Sequence, residues 1–451
     1  MDYIIYFIIT IGILVFVHEF GHFAAAKLSK MRVDVFAIGF GKRLFGYNKI
    51  TGFTFGDLAK DFDGQGNTDY RLSLLPLGGY VKIAGMVDES FDTKFADSEP
   101  KPHEFRSKST LAKLFVITAG VMMNLTLTLL IFWGINFFHG QEIAKSTTIS
   151  AVENGSIAQQ AGFQSFDKIL SVNNVAVKDW QDVADQILSG KQTKDLELQI
   201  ERNGIIQPLN LPLKFIKEHS NTGFFIYPYP TRAIVIDVMK NSPAQDAGLK
   251  SGDLILSLNS INIIERTQIN DIIGANKDKA IQIVLLRDKD TVKTAVKPAS
   301  DGLIGISHNI AYVGDKEYRT SGFFESIPQA VVKAKDFTLI FFKMMGQVFS
   351  GKLAFKDAFG GPVKIAQYAA ISADGGGVPF LYFLAMLSLN LAIINILPFP
   401  VLDGGHFVII LLEGLFKREL PVKFKMIIQN IGFALLLLLM AFIIYNDVIS
   451  L

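Results

Sequence analysis

Long apolar segments separated by polar stretches dominate the pattern along this chain. Four of them reach the length of about 20 residues that a helix needs to cross a bilayer, and they occupy residues 3–26, 111–138, 378–402 and 426–445. The last two contain no charged residue. Buried helices of soluble proteins rarely run so far without one, so the pattern predicts a polytopic α-helical membrane protein with four transmembrane helices.

Basic residues near the ends of these segments predict their orientation. They follow the first segment, precede the second and lie between the third and fourth: Lys27, Lys30, Arg32, Lys101, Arg106, Lys108, Lys417, Arg418, Lys423 and Lys425. Because basic segments stay in the cytoplasm, this side is predicted to be cytoplasmic, with residues from about 140 to 375 outside. A cleavable signal peptide is not expected, since Asp2 replaces the basic flank that such a peptide carries.

The outside segment contains a duplication with an offset of 86 residues. Ser156-Ile-Ala-Gln-Gln-Ala-Gly aligns with Ser242-Pro-Ala-Gln-Asp-Ala-Gly, and Asp167-Lys-Ile-Leu-Ser-Val-Asn aligns with Asp253-Leu-Ile-Leu-Ser-Leu-Asn. Each copy indicates a short helix ending at a glycine, a turn, an aspartate and a strand of alternating apolar residues. The pattern resembles two tandem PDZ-like α+β domains of the bacterial protease type, with the closer match in the second copy.

PDZ domains bind extended peptides by strand addition, and a glycine-containing loop receives the terminal carboxylate. Gly302, Leu303, Ile304 and Gly305 resemble that loop in the second copy. The same residues also fit an edge strand that bends at its glycines, and both interpretations stay open. The first copy has only residues 223–226 in the comparable place, which favours a steric filter over a peptide-binding module.

Two further regions complete the predicted order. Residues 33–102 combine glycines with short apolar runs and predict a cytoplasmic-side, membrane-associated β region, with a solvated loop at 48–69. Apolar residues recur at helical spacing between 322 and 350 and predict an amphipathic helix that lies on the membrane surface or packs against a PDZ-like domain. The expected division is transmembrane helices in 1–32, 103–140, 378–412 and 413–451, PDZ-like domains in 141–222 and 223–315, and the amphipathic helix and its loop in 316–377.

Composition limits the chemistry. The chain has no cysteine, so disulfides and thiolate metal sites are excluded, and any zinc must be bound by imidazole and carboxylate groups. The net charge of +2 is too small to indicate nucleic-acid binding. A membrane enzyme, a membrane scaffold and a transporter all remain compatible with this composition.

The segment His18-Glu19-Phe20-Gly21-His22 places two histidines four residues apart in the first apolar helix. This spacing puts both imidazoles on one face, where they can bind one metal, with Glu19 beside them to transfer protons. Ionisable groups within a membrane are costly and usually functional. The alternative is a hydrogen-bonded polar cluster that packs helices together.

A catalytic zinc with two histidine ligands needs a third protein ligand and an open position. Asp403 is the only acid in Asn395-Ile-Leu-Pro-Phe-Pro-Val-Leu-Asp403, which ends the third apolar segment. Pro398 and Pro400 are expected to break that helix and to let Asp403 turn inward, at a depth that matches the histidines. The alternative for Asp403 is a turn that ends the helix.

Taken together, the histidine motif in the first span and Asn-x-x-Pro-x-Pro-x-Leu-Asp-Gly in the third resemble the bacterial site-2 proteases, which are intramembrane zinc metalloproteases. The two PDZ-like copies resemble the two-PDZ type of that family. The resemblance implies Zn²⁺ bound by His18, His22 and Asp403, and Glu19 as the catalytic base. It also implies that Asn390 and Asn395 contact the substrate backbone or the developing oxyanion. In addition, it implies that an unwound substrate pairs with a re-entrant β-loop at Gly39, Phe40 and Gly41.

The resemblance further implies a multi-pass protein of the bacterial inner membrane, in contact with lipid and with its PDZ-like domains on the periplasmic side. Its expected substrates are single-span membrane proteins such as anti-sigma factors, or remnant signal peptides. Residues 119–124 match a second-span motif of the family except that Val121 replaces a proline. Two rival functions are a scaffold or chaperone that uses the PDZ-like pair, and a zinc transporter, which would need more polar spans.

Overall fold

The computed structural model describes residues 2–59, 62, 64–86, 99–187, 193–219, 225–239, 241–351 and 360–450. The chain divides into two compact units. One comprises Met1–His139 and Thr320–Leu451 and is called the membrane unit; the other comprises Gly140–Arg319 and is called the repeat unit.

The described helices are α1 Asp2–Leu28, α2 Thr110–Gly134, α3 Ile157–Gln160, α4 Trp180–Ile187, α5 Leu213–His219, α6 Pro243–Asp246, α7 Arg266–Ala275, α8 Ser326–Phe349, α9 Pro362–Asp374, α10 Gly377–Ile396, α11 Asp403–Phe416 and α12 Val422–Ser450. A 3₁₀ turn covers Phe105–Ser107, and a π-helical turn covers Ile135–His139. The described strands are β1 Val33–Asn48, β2 Gly52–Phe55, β3 Asp69–Ile83, β4 Gln141–Ala144, β5 Lys168–Val172, β6 Val175–Ala176, β7 Leu196–Arg202, β8 Ile205–Leu211, β9 Thr231–Val238, β10 Leu254–Leu258, β11 Ile261–Asn262, β12 Ile281–Arg287, β13 Asp290–Val296, β14 Ile306–Tyr312 and β15 Lys316–Arg319.

The four predicted apolar segments are confirmed as helices long and apolar enough to cross a membrane. They are Tyr3–Leu28, Thr110–His139, Gly377–Ile396 and Val422–Asp447. The range 378–412, expected to hold one helix, contains two, because α10 ends at Ile396 and α11 starts at Asp403. The prolines between them lack an amide N–H and disfavour helical conformation in the residue before them.

The β region forms a three-stranded antiparallel sheet in the order β2-β1-β3. Both β1 and β3 bend. As a result, the first half of β1 lies between the two halves of β3, and Ile38 pairs with Gly79 on one side and with Leu72 on the other. The loop predicted at 48–69 is not wholly solvated: it contains β2, and Asn48 is fully buried. Arg43 explains this order, because its buried guanidinium binds Asp69 and the main-chain oxygens of residues 54 and 56.

The amphipathic helix predicted between 322 and 350 is α8. It packs on α2 and α10 through an apolar cluster that includes Phe132, Ala334, Phe341 and Ala385. Neither expectation for this helix included that arrangement. The ammonium group of Lys333 lies 4.1 Å from the ring centroid of Tyr382 in the same cluster, so its charge is placed over an aromatic face.

The two copies in the repeat unit fold alike. The sheet of the first has the order β6-β5-β7-β8, and that of the second has the order β13-β12-β10-β9-β14 with β11 beside β10. In each copy a serine caps the short helix, and a buried aspartate binds an arginine one strand away. Each has its own apolar core, and that of the first includes Ile226, which lies beyond the boundary predicted after residue 222.

Candidate active site

Two glycines allow α1 and α2 to approach closely where the histidine motif lies. A Cβ atom at Gly21 would lie 2.4 Å from the carbonyl oxygen of Ala119, and one at Gly120 would lie 2.4 Å from Nε2 of His22. With no side chain on either glycine, α2 covers the imidazoles. His18, Glu19 and His22 are each only 9% exposed.

A strained turn brings Asp403 to the same place. Between α10 and α11 the backbone of Val401 has a φ of 80°, which is unfavourable for a β-branched residue. Strain of this kind is usually found at functional sites. A Cβ atom at Gly404 would lie 2.2 Å from the carbonyl oxygen of Leu397, so glycine is needed for α11 to start so close to the end of α10. Asp403 therefore begins a helix; it does not end one.

Three ligand atoms form a nearly equilateral triangle. Nε2 of His18 lies 3.3 Å from Oδ2 of Asp403, Nε2 of His22 lies 3.4 Å from the same oxygen, and the two nitrogens are 3.3 Å apart. Zinc holds imidazole nitrogen and carboxylate oxygen at about 2.0–2.1 Å in a tetrahedron, whose edges are then about 3.3–3.4 Å. The triangle has the dimensions of one face of that tetrahedron.

The hydrogen bonding of Asp403 also fits a cation. Its Oδ2 atom is buried and has no hydrogen-bond donor among the described residues, although it faces two imidazole nitrogens. A buried carboxylate oxygen without a donor is costly. A divalent cation bound by all three atoms would remove this cost, so the residues fit a metal.

Glu19 lies beside the triangle. It lines a cavity of ≈ 50 Å³ together with His18, His22, Asp403 and His406. A water molecule needs at least about 10–15 Å³ of such space, so the cavity has room for a reacting water next to a carboxylate. His406, three residues beyond Asp403, was not predicted from the sequence.

Of the two predicted asparagines, the structure brings only Asn395 to the histidines. Its Nδ2 atom lies 3.4 Å from Nε2 of His18. Asn390 lies five residues earlier on α10, about 140° around the helix, and takes no part in the hydrogen bonds described around His18. α10 therefore directs the two side chains to different places.

The predicted glycine loop lies at the bend of β1, where Gly39 and Gly41 have φ values of 88° and 85°. The ring of Phe40 stacks on that of Tyr80, with centroids 6.1 Å apart. Tyr80 belongs to the half of β3 that forms an outer edge of the sheet. A Cβ atom at the neighbouring Gly79 would lie 3.0 Å from Cγ of Glu19, so this edge runs past the site.

Sequence reasoning did not assign a role to the edge strand. Gly78 and Gly79 were a usable signal, because paired glycines within a strand often mark a close backbone approach. It also assigned no role to the residues of α2 that meet the histidines. The carbonyl oxygen of Val116 lies 2.9 Å from Nδ1 of His22, and Nδ2 of Asn124 lies 3.1 Å from Nδ1 of His18.

The predicted loop of the second repeat leads directly into β14, which ends its sheet. Gly302 and Gly305 have φ values of 83° and 78°, Leu303 is 63% exposed, and Ile304 is buried in the core. The N–H of Leu303 donates to the side chain of Asp301, so one donor that a carboxylate would use is already bound. Of the comparable segment in the first repeat, residues 223 and 224 lie outside the described residues.

A buried histidine–aspartate triangle with an adjacent glutamate, whose histidines lie on a helix of membrane-spanning length, defines the class of intramembrane metalloproteases. A model described as peptidase family M50 matches residues 6–439. The regulator of sigma E protease of Haemophilus influenzae is 31% identical over 99% of this chain and 98% of its own length. Protease RseP of Yersinia pestis is 30% identical, and the regulator of sigma-E protease RseP of Escherichia coli K12 is 28% identical, each over 98% of this chain and 97% of the relative.

The chain therefore belongs to peptidase family M50. It is a metalloprotease of the site-2 type, and its function is regulated intramembrane proteolysis. Neither the scaffold nor the zinc transporter is favoured.

Proposed function

We propose that this chain cleaves single-span membrane proteins by zinc-dependent hydrolysis, with His18, His22 and Asp403 as the metal ligands. The observation that supports this is the triangle of their ligand atoms, whose sides of 3.3, 3.4 and 3.3 Å have the length of a zinc tetrahedron edge. A zinc ion bound there would acidify a water molecule and polarise the scissile carbonyl. The cavity lined by Glu19 is also lined by all three ligand residues, so a water molecule there would lie beside the bound ion.

Glu19 is the proposed general base and then the general acid. Its carboxylate takes the proton of the attacking water and passes it to the leaving amine nitrogen. Burial on the cavity wall suits this role, since few other waters compete for the carboxylate. The amide of Asn395 lies close enough to His18 to donate to the developing oxyanion. Asn390, on another face of α10, would contact the substrate backbone farther from the reacting carbonyl.

The substrate must leave its helical conformation before cleavage, because a helical peptide bond is shielded by its own hydrogen bonds. Strand pairing with the β region would satisfy the freed backbone groups. We place this pairing along the outer edge of the sheet at residues 79–83, which passes Glu19. Gly39, Phe40 and Gly41 would support it, since Phe40 stacks on Tyr80 of that edge.

The chain is proposed to lie in the bacterial inner membrane with the repeat unit in the periplasm, as the basic residues at the span ends indicate. The two PDZ-like repeats would then exclude substrates with large untrimmed outer domains, or bind a peptide terminus at Gly302–Gly305. Anti-sigma-factor-like proteins and remnant signal peptides have the required single span. The sigma-E names of the relatives support the first of these.

Glu19→Gln tests the chemistry. A purified single-span substrate in detergent micelles should be cleaved at least about 10²–10⁴-fold more slowly, whereas zinc content should equal that of the wild type. Glu153→Gln in the repeat unit is the control and should leave cleavage unchanged. Wild-type activity in Glu19→Gln would refute the assignment.

Replacing residues 141–312 by a short flexible linker tests whether the two repeats exclude substrates with large outer domains. Cleavage of a substrate with its outer domain intact should increase, and cleavage of the trimmed form should not change. If the intact substrate stays uncleaved, the repeats do not act by excluding size. Loss of trimmed-substrate cleavage would instead favour a peptide-binding role.

A further inference from the structure

Three residues of α2 form a stripe that faces the two histidines of α1. Val116, Gly120 and Asn124 are spaced four residues apart and so share one side of the helix. Val116 meets His22, Asn124 meets His18, and Gly120 gives the imidazoles room between them. The stripe therefore contacts both imidazole rings.

The proton position on His22 follows from its partner. Nδ1 lies 2.9 Å from the carbonyl oxygen of Val116, and a carbonyl oxygen only accepts hydrogen bonds. Nδ1 must therefore carry the proton and donate it. In the neutral imidazole, Nε2 then presents its lone pair toward Asp403, which is the form that binds a metal.

At His18 the amide of Asn124 takes the place of that carbonyl. Asn124 is fully buried, and its main-chain oxygen accepts from the hydroxyls of Ser388 and Thr128, at 2.8 and 3.0 Å. In the amide orientation with Nδ2 toward His18, at 3.1 Å, the Oδ1 atom is buried with no hydrogen-bond partner. The two ends of an amide have nearly the same shape, and their assignment follows from the hydrogen bonds they make.

We propose that Asn124 is a positioning residue whose Oδ1 atom accepts the Nδ1–H of His18, with the amide turned over relative to the orientation just described. This pairing gives the buried oxygen a donor and moves Nδ2 to the position that the oxygen occupies in the other orientation. It also gives His18 the same proton position as His22, so both Nε2 lone pairs point to the triangle. The inference rests on the metal site put forward under the proposed function, and it adds a residue that holds one ligand in its binding form.

The test uses purified full-length protein in detergent micelles and measures its affinity for Zn²⁺ by competition with a chelator. Asn124→Leu keeps the size of the side chain and removes the acceptor, so zinc affinity should fall on the order of 10- to 100-fold. Asn124→Asp keeps an acceptor and removes the donor, so affinity should stay within about threefold of the wild type. Thr126→Val, an exposed change on the same helix whose hydroxyl bonds only to Met122 among the described contacts, is the control and should also retain affinity.

Asn124→Asp separates the two amide orientations even if Asn124→Leu does not fold. If Asn124→Asp loses as much affinity as Asn124→Leu, or fails where Thr126→Val succeeds, the amide donates and the proposal is wrong. Unchanged affinity in Asn124→Leu would also overturn it. A wild type that binds no zinc would instead refute the metal site itself.

Discussion

The buried aspartates of the two repeats and Asp403 of the membrane unit are paired in opposite ways. Asp167 is wholly buried, and both of its oxygens lie 2.7 Å from guanidinium nitrogens of Arg202. Asp253 has the same arrangement with Arg287. Asp403 has two imidazole nitrogens near an oxygen that no described donor satisfies. A buried carboxylate that is fully paired stabilises a fold, whereas one left unpaired beside possible ligands indicates chemistry.

The largest expected effect on stability is in the repeat unit. Arg202→Ala leaves the carboxylate of Asp167 buried without its partner and should destabilise the first repeat by about 3 kcal/mol. Proteolysis of the full-length protein over a range of urea concentrations measures this change. Arg287→Ala should do the same to the second repeat. Zinc content should be normal in both variants, and a loss of zinc in either would break the distinction between the two units.

Gly120→Ala is the corresponding change in the membrane unit. Its Cβ atom would lie 2.4 Å from Nε2 of His22 and 2.8 Å from Cε1 of His18, so both rings must move. A displacement of this size should slow cleavage by at least about 10²-fold. Gly134→Ala is a matched control on α2, because its Cβ atom meets nothing within 4 Å. Cleavage assays that find the two variants equal would contradict the packing of α2 on the imidazoles.

A smaller effect concerns pH. Burial alone would raise the pKa of the Asp253 carboxyl, but the hydrogen bonds and charge of Arg287 outweigh it and hold that pKa below its usual range. Because this pKa is lower in the folded state than in the unfolded state, the ion pair stabilises the second repeat at pH values above the unfolded-state pKa of about 3.9. That contribution is lost as the pH falls further, through the folded-state pKa.

Hydrogen exchange of the second repeat, corrected for intrinsic rates, checks this dependence. Wild-type protection should decrease below about pH 4, and Asp253→Asn should show a weaker decrease over the same range. Equal pH dependence in the two proteins would show that the ion pair contributes nothing.

The sequence predicted the parts of the fold that depend on local patterns. Apolar length located the four long helices, the offset duplication located the repeats, and Pro398 and Pro400 located the break before Asp403. Packing between segments that are distant in the sequence could not be predicted from local patterns. The placement of α8 on α2 and α10, and the edge of β3 beside Glu19, depend on contacts that no local pattern encodes.

The same limit applied within the site. A motif five residues long indicated His18, Glu19 and His22, and a lone acid after two prolines indicated Asp403. Asn124 was part of a recognised motif in α2 but had no assigned role, because a hydrogen bond across 106 residues of sequence leaves no periodic signal. Asn390 and Asn395 are close in sequence, and only helical geometry separates them.

The most direct test of the central claim is zinc content measured on purified wild type, Asp403→Asn and Asp253→Asn at the same free zinc concentration. The account predicts stoichiometric zinc in the wild type and in Asp253→Asn, whose carboxylate serves only the fold. It predicts strong loss in Asp403→Asn without loss of folded protein. Stoichiometric zinc in Asp403→Asn would contradict the account.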